Sequence, residues 1–331
     1  METLSAKITY RLYEEKDIPA IIKLWEQESG WGSITTEQFN KWFVNTPYGK
    51  AVIVVAENSE AEVIGQIVMS PSRMIVDGRE IKSLRGAAPI VSKEMRGGNI
   101  KDFDHPVATM FRKGFEMAFA AGYQYFYSFP AYGWLGLLRL IPRMMPNPSD
   151  TASFDCFSVS LSENQVSVEK DDLLKVVLQT KITDEYDNLW NEAVEQMPIH
   201  CSIVRKASWL QWVIGGMYVL EVRNVLDDKL VGYAAIKKES GLVVDVFART
   251  GSDLAKVYQQ CVYALHQDNS QRLVLPFNAI KGMITPLNEP ILNRIGYTKD
   301  DFRFAFGSYL LDKTIDFEKV KAANWYMTSL G

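Results

Sequence analysis

The sequence predicts an α+β protein of two domains, each with a central mixed, largely antiparallel sheet flanked by helices. Its 331 residues are more than one hydrophobic core usually needs. Apolar residues alternate in some segments and recur every three or four residues in others, which indicates strands interspersed with helices. The same order of elements occurs twice. The polar stretch Ser162–Lys170 separates the two copies, so the predicted domains are 1–162 and 163–331.

Local signatures recur in the two halves at nearly constant separation. Trp42 on a predicted helix corresponds to Trp212, and Ile64-Gly65 on a predicted strand corresponds to Val231-Gly232. A repeated order of elements with a repeated spacing is typical of two similar domains.

The first elements of the chain are predicted from caps and turn residues. Asp17 is placed to cap a helix with apolar residues from Ile18 to Trp25, and Thr35 or Thr36 to cap a second helix. Asp77-Gly78 predicts a tight hairpin between two long strands. The first of these should have a bulge or a bend at Ser70-Pro71-Ser72, because proline cannot donate to a strand ladder. The predicted strands are Lys7–Tyr13, Ala51–Glu57, Val63–Val76 and Arg79–Val91.

A turn and a helix follow the last of these strands. The glycines of Arg96-Gly97-Gly98 lack a Cβ, so backbone N–H groups there can face an anion. A helix is expected to start at Pro106, with Asp104 as its cap, and to stop at Gly122. Its positive N-terminal end would favour an anion at the turn. Strands at Tyr123–Phe129 and Phe154–Leu161, with a short helix at Gly133–Ile141, complete the first half.

The second half repeats this order. Asp184 is placed to cap one helix, and a second helix carries Trp209 and Trp212. Further helices are predicted at Leu254–Leu265 and near Pro290–Arg294. The predicted strands are Leu173–Thr180, Met217–Val225, Lys229–Lys238, Leu242–Ala248, Arg272–Pro276 and a final strand after Gly296-Tyr297.

Composition and charge limit the classes of partner. The chain has 36 Lys and Arg against 40 Asp and Glu, a net charge of −4, which argues against a nucleic-acid or anionic-membrane partner. The longest apolar stretch, Trp134–Met145, contains two arginines and a proline and cannot span a bilayer. Three scattered cysteines and a beginning without a signal-peptide pattern predict a cytoplasmic protein with no structural metal.

Four tryptophans and one aspartate are first interpreted as structural residues. Trp25, Trp42, Trp190 and Trp212 lie on apolar helical faces, so we expect them to pack in the core. Asp245 interrupts an apolar strand and needs a partner if it is buried; structural pairing and the lining of a cleft are equally open for it.

The order of elements, with a strand, an Arg-Gly turn and a helix at its centre, resembles the GNAT superfamily of acyl-CoA-dependent N-acyltransferases. The family signature is Arg/Gln-x-x-Gly-x-Gly/Ala after the fourth strand, and Arg96-Gly97-Gly98-Asn99-Ile100-Lys101 stands at that place. Asn99 and Lys101 replace the two small residues of the signature. Ile64-Gly65 and the strand ending in Phe129-Pro130 match flanking features of the family. A tandem arrangement with one degenerate half also looks like mycothiol-synthase-type and Fem-type transferases.

The resemblance implies that the first domain binds acetyl-CoA or another acyl-CoA. N–H groups of Gly97, Gly98 and Asn99, with Arg96 and Ile100 beside them, would hold the pyrophosphate. In the family, the strands that flank the pantetheine arm splay apart. The backbone of Ile90, Val91 and Ser92 would pair with that arm and donate to the thioester oxygen.

Tyr132 stands near the place of the family's general-acid tyrosine. It could protonate the leaving thiolate; the other interpretation, which we favour slightly, is an aromatic residue at the rim. No general base stands out, and four residues are open for this role: Glu28, Glu57, His105 and Asp155.

The predicted function is therefore acyl-CoA-dependent N-acyltransfer, with acetyl-CoA as the expected donor and a small amine as the acceptor. One alternative is a Fem-type aminoacyl transferase, against which the acidic balance counts, because a tRNA user should carry a basic groove. The other is a catalytically degenerate GNAT pair that acts as a binding module, which Asn99 and Lys101 keep open.

Overall fold

A computed structural model of the chain describes residues 8–99, 102–130, 139, 147–162, 168–179, 181–197, 199–268 and 276–329. The chain forms two compact units. The first unit consists of Met1–Met74, Arg79–Ala152 and Ala305–Lys321, and the second of Ile75–Gly78, Ser153–Phe304 and Ala322–Gly331. Each unit thus includes a segment from the other half of the sequence. A single boundary after residue 162 does not assign these segments to the units that contain them.

Strands and helices are interspersed along the described residues, as the predicted α+β class requires. The strands are β1 (Thr9–Leu12), β2 (Val52–Glu57), β3 (Val63–Val76), β4 (Arg79–Val91), β5 (Tyr125–Ser128), β6 (Ser149–Ser160), β7 (Leu174–Gln179), β8 (Cys201–Ile203), β9 (Tyr218–Asn224), β10 (Leu230–Ile236), β11 (Val243–Ala248), β12 (Ala279–Met283) and β13 (Thr298–Leu310). The helices are α1 (Ile18–Glu28), α2 (Thr36–Phe39), α3 (Pro106–Ala120), α4 (Glu185–Gln196), α5 (Ala207–Ile214), α6 (Gly251–Asp268) and α7 (Glu289–Ile295).

The first unit is built on a mixed sheet in the order β1-β2-β3-β4-β5-β13. β1 pairs with β2, and β2 with β3, in antiparallel register, whereas β4 and β5 are parallel. The last strand comes from the far end of the chain: Gly307–Leu310 of β13 pairs antiparallel with Tyr125–Ser128 of β5. This pairing is the physical reason that residues 305–321 belong to the first unit.

Both faces of this sheet are covered by helices. Val52 and Val54 of β2 pack in a buried cluster with α3, and Ile53 and Val55 pack in a second cluster with α1 and α2. Successive side chains of a strand point to opposite faces, so a strand that is apolar at every position is buried on both. Each such side chain contributes about 1.5–3 kcal/mol to folding.

The structure tests two helix caps that were predicted near the start of the chain, those of α1 and α2. Thr35 accepts the N–H of Gln38, whose side chain accepts the N–H of Thr35, which is a complete capping box for α2. The Asp17 carboxylate instead binds Arg11 at 2.6 and 2.9 Å and the N–H of Glu14 at 2.7 Å. Asp17 is thus the N-cap residue of α1, as predicted, but its side chain makes no capping hydrogen bond to the helix, because Arg11 and the N–H of Glu14 take the carboxylate.

The hairpin at Asp77-Gly78 is confirmed, since β3 ends at Val76 and β4 begins at Arg79. β3 runs as one strand through Ser70-Pro71-Ser72, and the bulge or bend expected there stays a prediction. Met69 is the last residue of β3 that pairs with β2. Pro71 lies beyond that pairing, where β2 no longer requires its missing N–H.

The second unit contains an antiparallel sheet in the order β11-β10-β9-β7 and an antiparallel pair of β6 with β12. Leu242, just before β11, makes a parallel bridge to Lys281 of β12. Gly232 of β10 allows a close approach of α6, because a Cβ there would lie 2.6 Å from Cγ2 of Val257. The predicted strand Arg272–Pro276 lies outside the described residues except for Pro276, as does the predicted helix Gly133–Ile141 except for Arg139.

Candidate functional site

β4 continues well past its last residue paired with β5. The parallel register joins Ser83–Arg85 to Tyr125–Tyr127, whereas β4 ends only at Val91. The ring of Phe126 lies over Gly86, where a Cβ would be 2.5 Å from Cζ. Within the described part of the chain, residues 86–91 therefore have no parallel partner in β5. Strand backbone in this situation offers N–H and C=O groups to the amides of a ligand.

Ala88 interrupts the extended run of this same segment. Its φ is +44°, which is uncommon for a residue other than glycine. Its carbonyl accepts a hydrogen bond at 3.4 Å from Nε2 of Gln66, a fully buried side chain of β3. Strained backbone of this kind is found preferentially at functional sites. The break thus falls on the part of β4 that has left β5.

A 3₁₀ turn over Lys93–Arg96 follows β4. Met95 is fully buried against β3, because Gly65 leaves room for it: a Cβ on Gly65 would lie 2.7 Å from the Met95 sulfur. Gly98 has φ +89°, a conformation that L side chains rarely adopt. The nearest atom to a Cβ built on Gly98 is Cδ2 of His105 at 3.9 Å, so the space above this glycine is open.

The Arg96 side chain turns back toward β4 and the end of α1. Its Nε and Nη2 donate to the carbonyl of Val91 at 3.1 and 2.8 Å. Nη2 also donates to the backbone carbonyl of Glu28 at 3.1 Å and pairs with the Glu28 carboxylate at 2.8 Å. Arg96 therefore lies beside the predicted phosphate turn but faces an acidic residue, 68 positions earlier in the chain, that the sequence did not connect with it.

α3 begins at Pro106 as predicted, but its cap is His105 rather than Asp104. Nδ1 of His105 accepts the N–H of Val107 at 3.2 Å, and Nε2 lies 3.1 Å from the carbonyl of Gly97. Because a carbonyl only accepts, Nε2 carries the proton and the ring is neutral. Burial lowers the pKa of His105, which favours this neutral form.

This cap changes what the start of α3 can bind. Pro106 has no N–H, and the N–H of Val107 is already bonded to His105. The expected anion site at the helix N-terminus therefore loses two of its donors. An anion at this place would depend on the backbone of Gly97–Asn99 and on Arg96.

The other predicted site residues lie in the same region with partners of their own. The N–H of Ser92 donates to Ile64 of β3 at 2.8 Å, and Ile90 is buried with α1 and α2. Asn99 closes a short turn, since its carbonyl accepts the N–H of Asp102 at 2.9 Å. Ile100 and Tyr132 lie outside the described residues, so their roles stay predictions.

Each of the four residues that were open as a general base has a partner. Glu28 binds Arg96, and Glu57 accepts two hydrogen bonds from Arg11 at 3.0 and 2.6 Å. Asp155 pairs with Lys299 and Arg303 at 2.9 and 3.1 Å, and His105 caps α3. Among these four, Glu28 binds the Arg96 side chain and His105 donates to the Gly97 carbonyl, so both contact the turn.

The buried aspartate of the second unit is paired structurally. Asp245 and Arg205 are both almost fully buried and form an ion pair at 3.1 Å, and the Tyr233 hydroxyl donates to Asp245 at 2.6 Å. The sequence predicted the need for a partner at Asp245 but not that Arg205 supplies it, since 40 positions separate them.

The segment Tyr326–Ser329 lies along β11 in the same unit. Tyr326 and Ser329 donate to the carbonyls of Val246 and Val244 at 2.8 and 3.1 Å, and Thr328 donates to Asp245 at 2.7 Å. The cavity between this segment and β11 has a volume of about 10 Å³.

Tryptophan packing follows the prediction for Trp25 and Trp190, which are buried. Trp42 is 36 % exposed and Trp31 is 61 % exposed, so the expected core position of Trp42 is wrong. Both indoles instead lie around Trp25, with ring centroids 6.4 and 5.7 Å from it.

Among the described residues, no group of three or more His, Cys, Asp or Glu side chains is arranged to hold a metal ion. In the same part of the chain, no helix combines the length and the apolar character that a bilayer crossing requires.

A mixed sheet covered on both faces, with a parallel strand pair that separates before an Arg-Gly turn, defines the fold of the GNAT-type N-acyltransferases. A GCN5-related N-acetyltransferase from Anabaena variabilis ATCC 29413 has a TM-score of 0.67 to this chain at 13 % identity, covering 92 % of this chain and 73 % of its own. A GCN5-related N-acetyltransferase from Kribbella flavida has a TM-score of 0.61 at 14 % identity, covering 93 % of this chain and 72 % of its own.

Saccharomyces cerevisiae N-myristoyltransferase, solved with bound myristoyl-CoA, has a TM-score of 0.59 at 10 % identity and covers 92 % of this chain and 83 % of its own. No protein-family model and no curated protein matches the sequence. At these identities the likeness shows the fold, which is the GNAT fold that the Arg96 turn and its surroundings predict.

Proposed function

We propose that the chain is an acyl-CoA-dependent N-acyltransferase, with acetyl-CoA as the expected donor and a small amine as the acceptor. The observation that carries the proposal is the separation of β4 from β5 over Gly86–Val91, directly before the Arg96 turn. A pantetheine arm contains amides that pair with free strand backbone, and a pyrophosphate needs N–H donors and a cation. Neighbours of the same fold, one of them solved with myristoyl-CoA, support an acyl-CoA donor.

The residues of the first unit divide the binding task between them. Gly97, Gly98 and Asn99 would donate N–H groups to the pyrophosphate, with Ile100 completing the turn, and Arg96 would move from Glu28 to a phosphate oxygen. Ile90–Ser92 would line the pantetheine arm. Because the N–H of Ser92 is bonded to β3, Ser92 would contribute its remaining polar groups.

In the reaction, the neutral amine forms a bond to the thioester carbonyl carbon, its nitrogen gives up one proton to water, the bond from the carbon to sulfur breaks, and the CoA thiolate leaves. Backbone N–H donors of β4 near the thioester oxygen would stabilise the charge that develops there. We assign the protonation of the thiolate to Tyr132. A thiolate is less basic than a phenolate, but a hydroxyl held beside the sulfur can still deliver its proton in the transition state.

Nucleic acid and membrane lipid are not among the proposed partners, since the chain carries more acidic than basic residues. The small amine and the cytoplasmic location stay predictions.

Ligand-dependent stability tests the donor. Chemical denaturation in CoA, acetyl-CoA or desulfo-CoA at about a hundred times the dissociation constant should raise the free energy of unfolding by about 2.7 kcal/mol. A folded preparation that none of the three stabilises would contradict the proposal.

Two variants assign the site. Arg96→Ala should reduce the stabilisation by CoA, whereas Lys93→Ala, which removes an equal charge from the same exposed turn, should not. Tyr132→Phe should slow CoA release from acetyl-CoA in the presence of amines without weakening CoA binding. Wild-type turnover in this variant would remove Tyr132 as the acid.

A further inference from the structure

Phe103 is a large apolar side chain that the turn before α3 leaves in solvent. It is 61 % exposed and lies four residues after Asn99 of the candidate phosphate turn. The guanidinium of Arg112, on α3, lies over one face of its ring, with Cζ 3.7 Å from the ring centroid. Because one face is covered and the side chain is still mostly exposed, the opposite face of the ring is open to solvent.

Arg112 is itself held in place beside this ring. Its Nη1 donates to the backbone carbonyl of Phe103, and its Nη2 donates to Oγ1 of Thr109, on the same helix, at 3.0 Å. These bonds fix the guanidinium against the ring, and the contact of a cation with an aromatic face is itself favourable. A single exposed phenylalanine needs no explanation. Phe103 differs because its orientation is fixed while one face stays open, which is the arrangement that stacking requires.

The open ring lies close to the candidate phosphate turn. The carbonyl of Asn99 accepts the N–H of Asp102 at 2.9 Å, and the carbonyl of Asp102 accepts the N–H of His105 at 3.0 Å. The His105 ring binds back to the carbonyl of Gly97 at 3.1 Å. These turns keep the Cα of Phe103 within about 11 Å of that of Asn99. Since a single ribose separates the pyrophosphate of CoA from its adenine, the base of a CoA bound at this turn is within reach of the ring.

We propose that Phe103, backed by Arg112, stacks with the adenine of the acyl donor. Aromatic side chains bind bases in this way because every base has a π-face, and stacking removes the open face of Phe103 from water. Adenine is neutral, so this contact does not compete for the charge of Arg96. The inference rests on the proposed function and deepens it, because it makes the donor a free CoA thioester. An acyl group on the phosphopantetheine of a carrier protein has no purine to stack.

The affinity for CoA tests the stacking surface. Phe103→Ala should weaken CoA binding at least about five-fold in titration calorimetry, whereas Phe103→Tyr, which keeps a ring, should bind within about two-fold of the wild type. Phe119→Ala is the matched control, because Phe119 is 55 % exposed near the other end of α3 and its replacement should leave the affinity unchanged. A CoA affinity that Phe103→Ala does not alter would overturn the inference while the proposed function stands.

Phosphopantetheine distinguishes a contact with the base from a change in the shape of the turn, since it has the arm and a phosphate but no nucleoside. Its affinity, measured by competition with CoA, should change less than about two-fold in Phe103→Ala, so the preference of the chain for CoA should fall at least about five-fold. Equal losses for both ligands would overturn the inference, because the ring would then act through the turn. A wild-type chain that binds neither ligand would overturn the proposed function as well.

Discussion

His105 is the residue that ties the candidate phosphate turn to α3, because one ring nitrogen caps the helix and the other donates to Gly97. Its pKa is lowered by burial, so the folded protein holds the ring neutral while the unfolded chain protonates it near pH 6.5. Protons are thus taken up on unfolding below that pH. We expect this contribution to stability to be unchanged above about pH 7 and to be lost as the pH falls from about 6.5 toward the lower folded pKa.

Denaturant titrations at pH 7.5 and 5.5 measure this effect. His105→Asn keeps a good cap without a titrating group, so it should lose less stability on acidification than the wild-type chain. His105→Ala should cost about 1 kcal/mol at pH 7.5 and less at pH 5.5, because it too lacks the titrating ring. An identical pH dependence of wild type and His105→Asn would remove His105 as its source.

At the scale of single residues, the sequence predicts what depends on near neighbours. Pro106 and the Asp77-Gly78 hairpin are local signals, and both are confirmed. The partners of Arg96 and Asp245 are not visible in the sequence, because pairing across 68 or 40 positions is decided by the sheet that brings them together. The cap of α3 by His105 is intermediate. The sequence indicates that the residue before Pro106 can cap a helix, but it does not indicate that the His105 ring is buried.

At the scale of elements, the position of the Arg96 turn depends on one close contact with β3. Met95 fills the space that Gly65 leaves, and a Cβ on Gly65 would come within 2.7 Å of its sulfur and 3.3 Å of the Ala56 Cβ. Gly65→Ala should therefore lower the free energy of unfolding by about 1–3 kcal/mol, as overpacking of a core does, and weaken CoA binding by displacing the turn.

A double-mutant cycle separates this contact from general damage. Met95→Ala leaves a cavity and is destabilising by itself, but Gly65→Ala should cost less in the Met95→Ala background than in the wild type, because the clash is gone. Gly216→Ala is the matched control, since a Cβ there meets nothing within 4 Å. Strictly additive free energies would show that the turn does not rest on Gly65.

At the scale of the whole molecule, the exchange of segments between the units is what the sequence could not predict. Alternation of apolar residues identifies β13, but it does not say that Gly307–Leu310 pairs with β5, more than 170 positions earlier. The predicted division at residue 162 follows chain order, whereas the compact units follow strand pairing. Whether a segment forms a strand depends on its own residues, whereas its pairing partner depends on distant ones. The sequence therefore predicted the fold class but not which segments each unit takes from the other half of the chain.

The second unit provides the last prediction, which concerns the number of donors bound per chain. The flank of β11 is occupied by Tyr326–Ser329, which bond to Val244, Asp245 and Val246. The cavity left there, about 10 Å³, is no larger than a single water requires, so it cannot admit a pantetheine arm. Titration calorimetry with CoA should therefore give one site per chain, and Arg96→Ala should weaken that site. A second CoA that still binds the Arg96→Ala chain would place a donor site in the second unit and contradict this assignment.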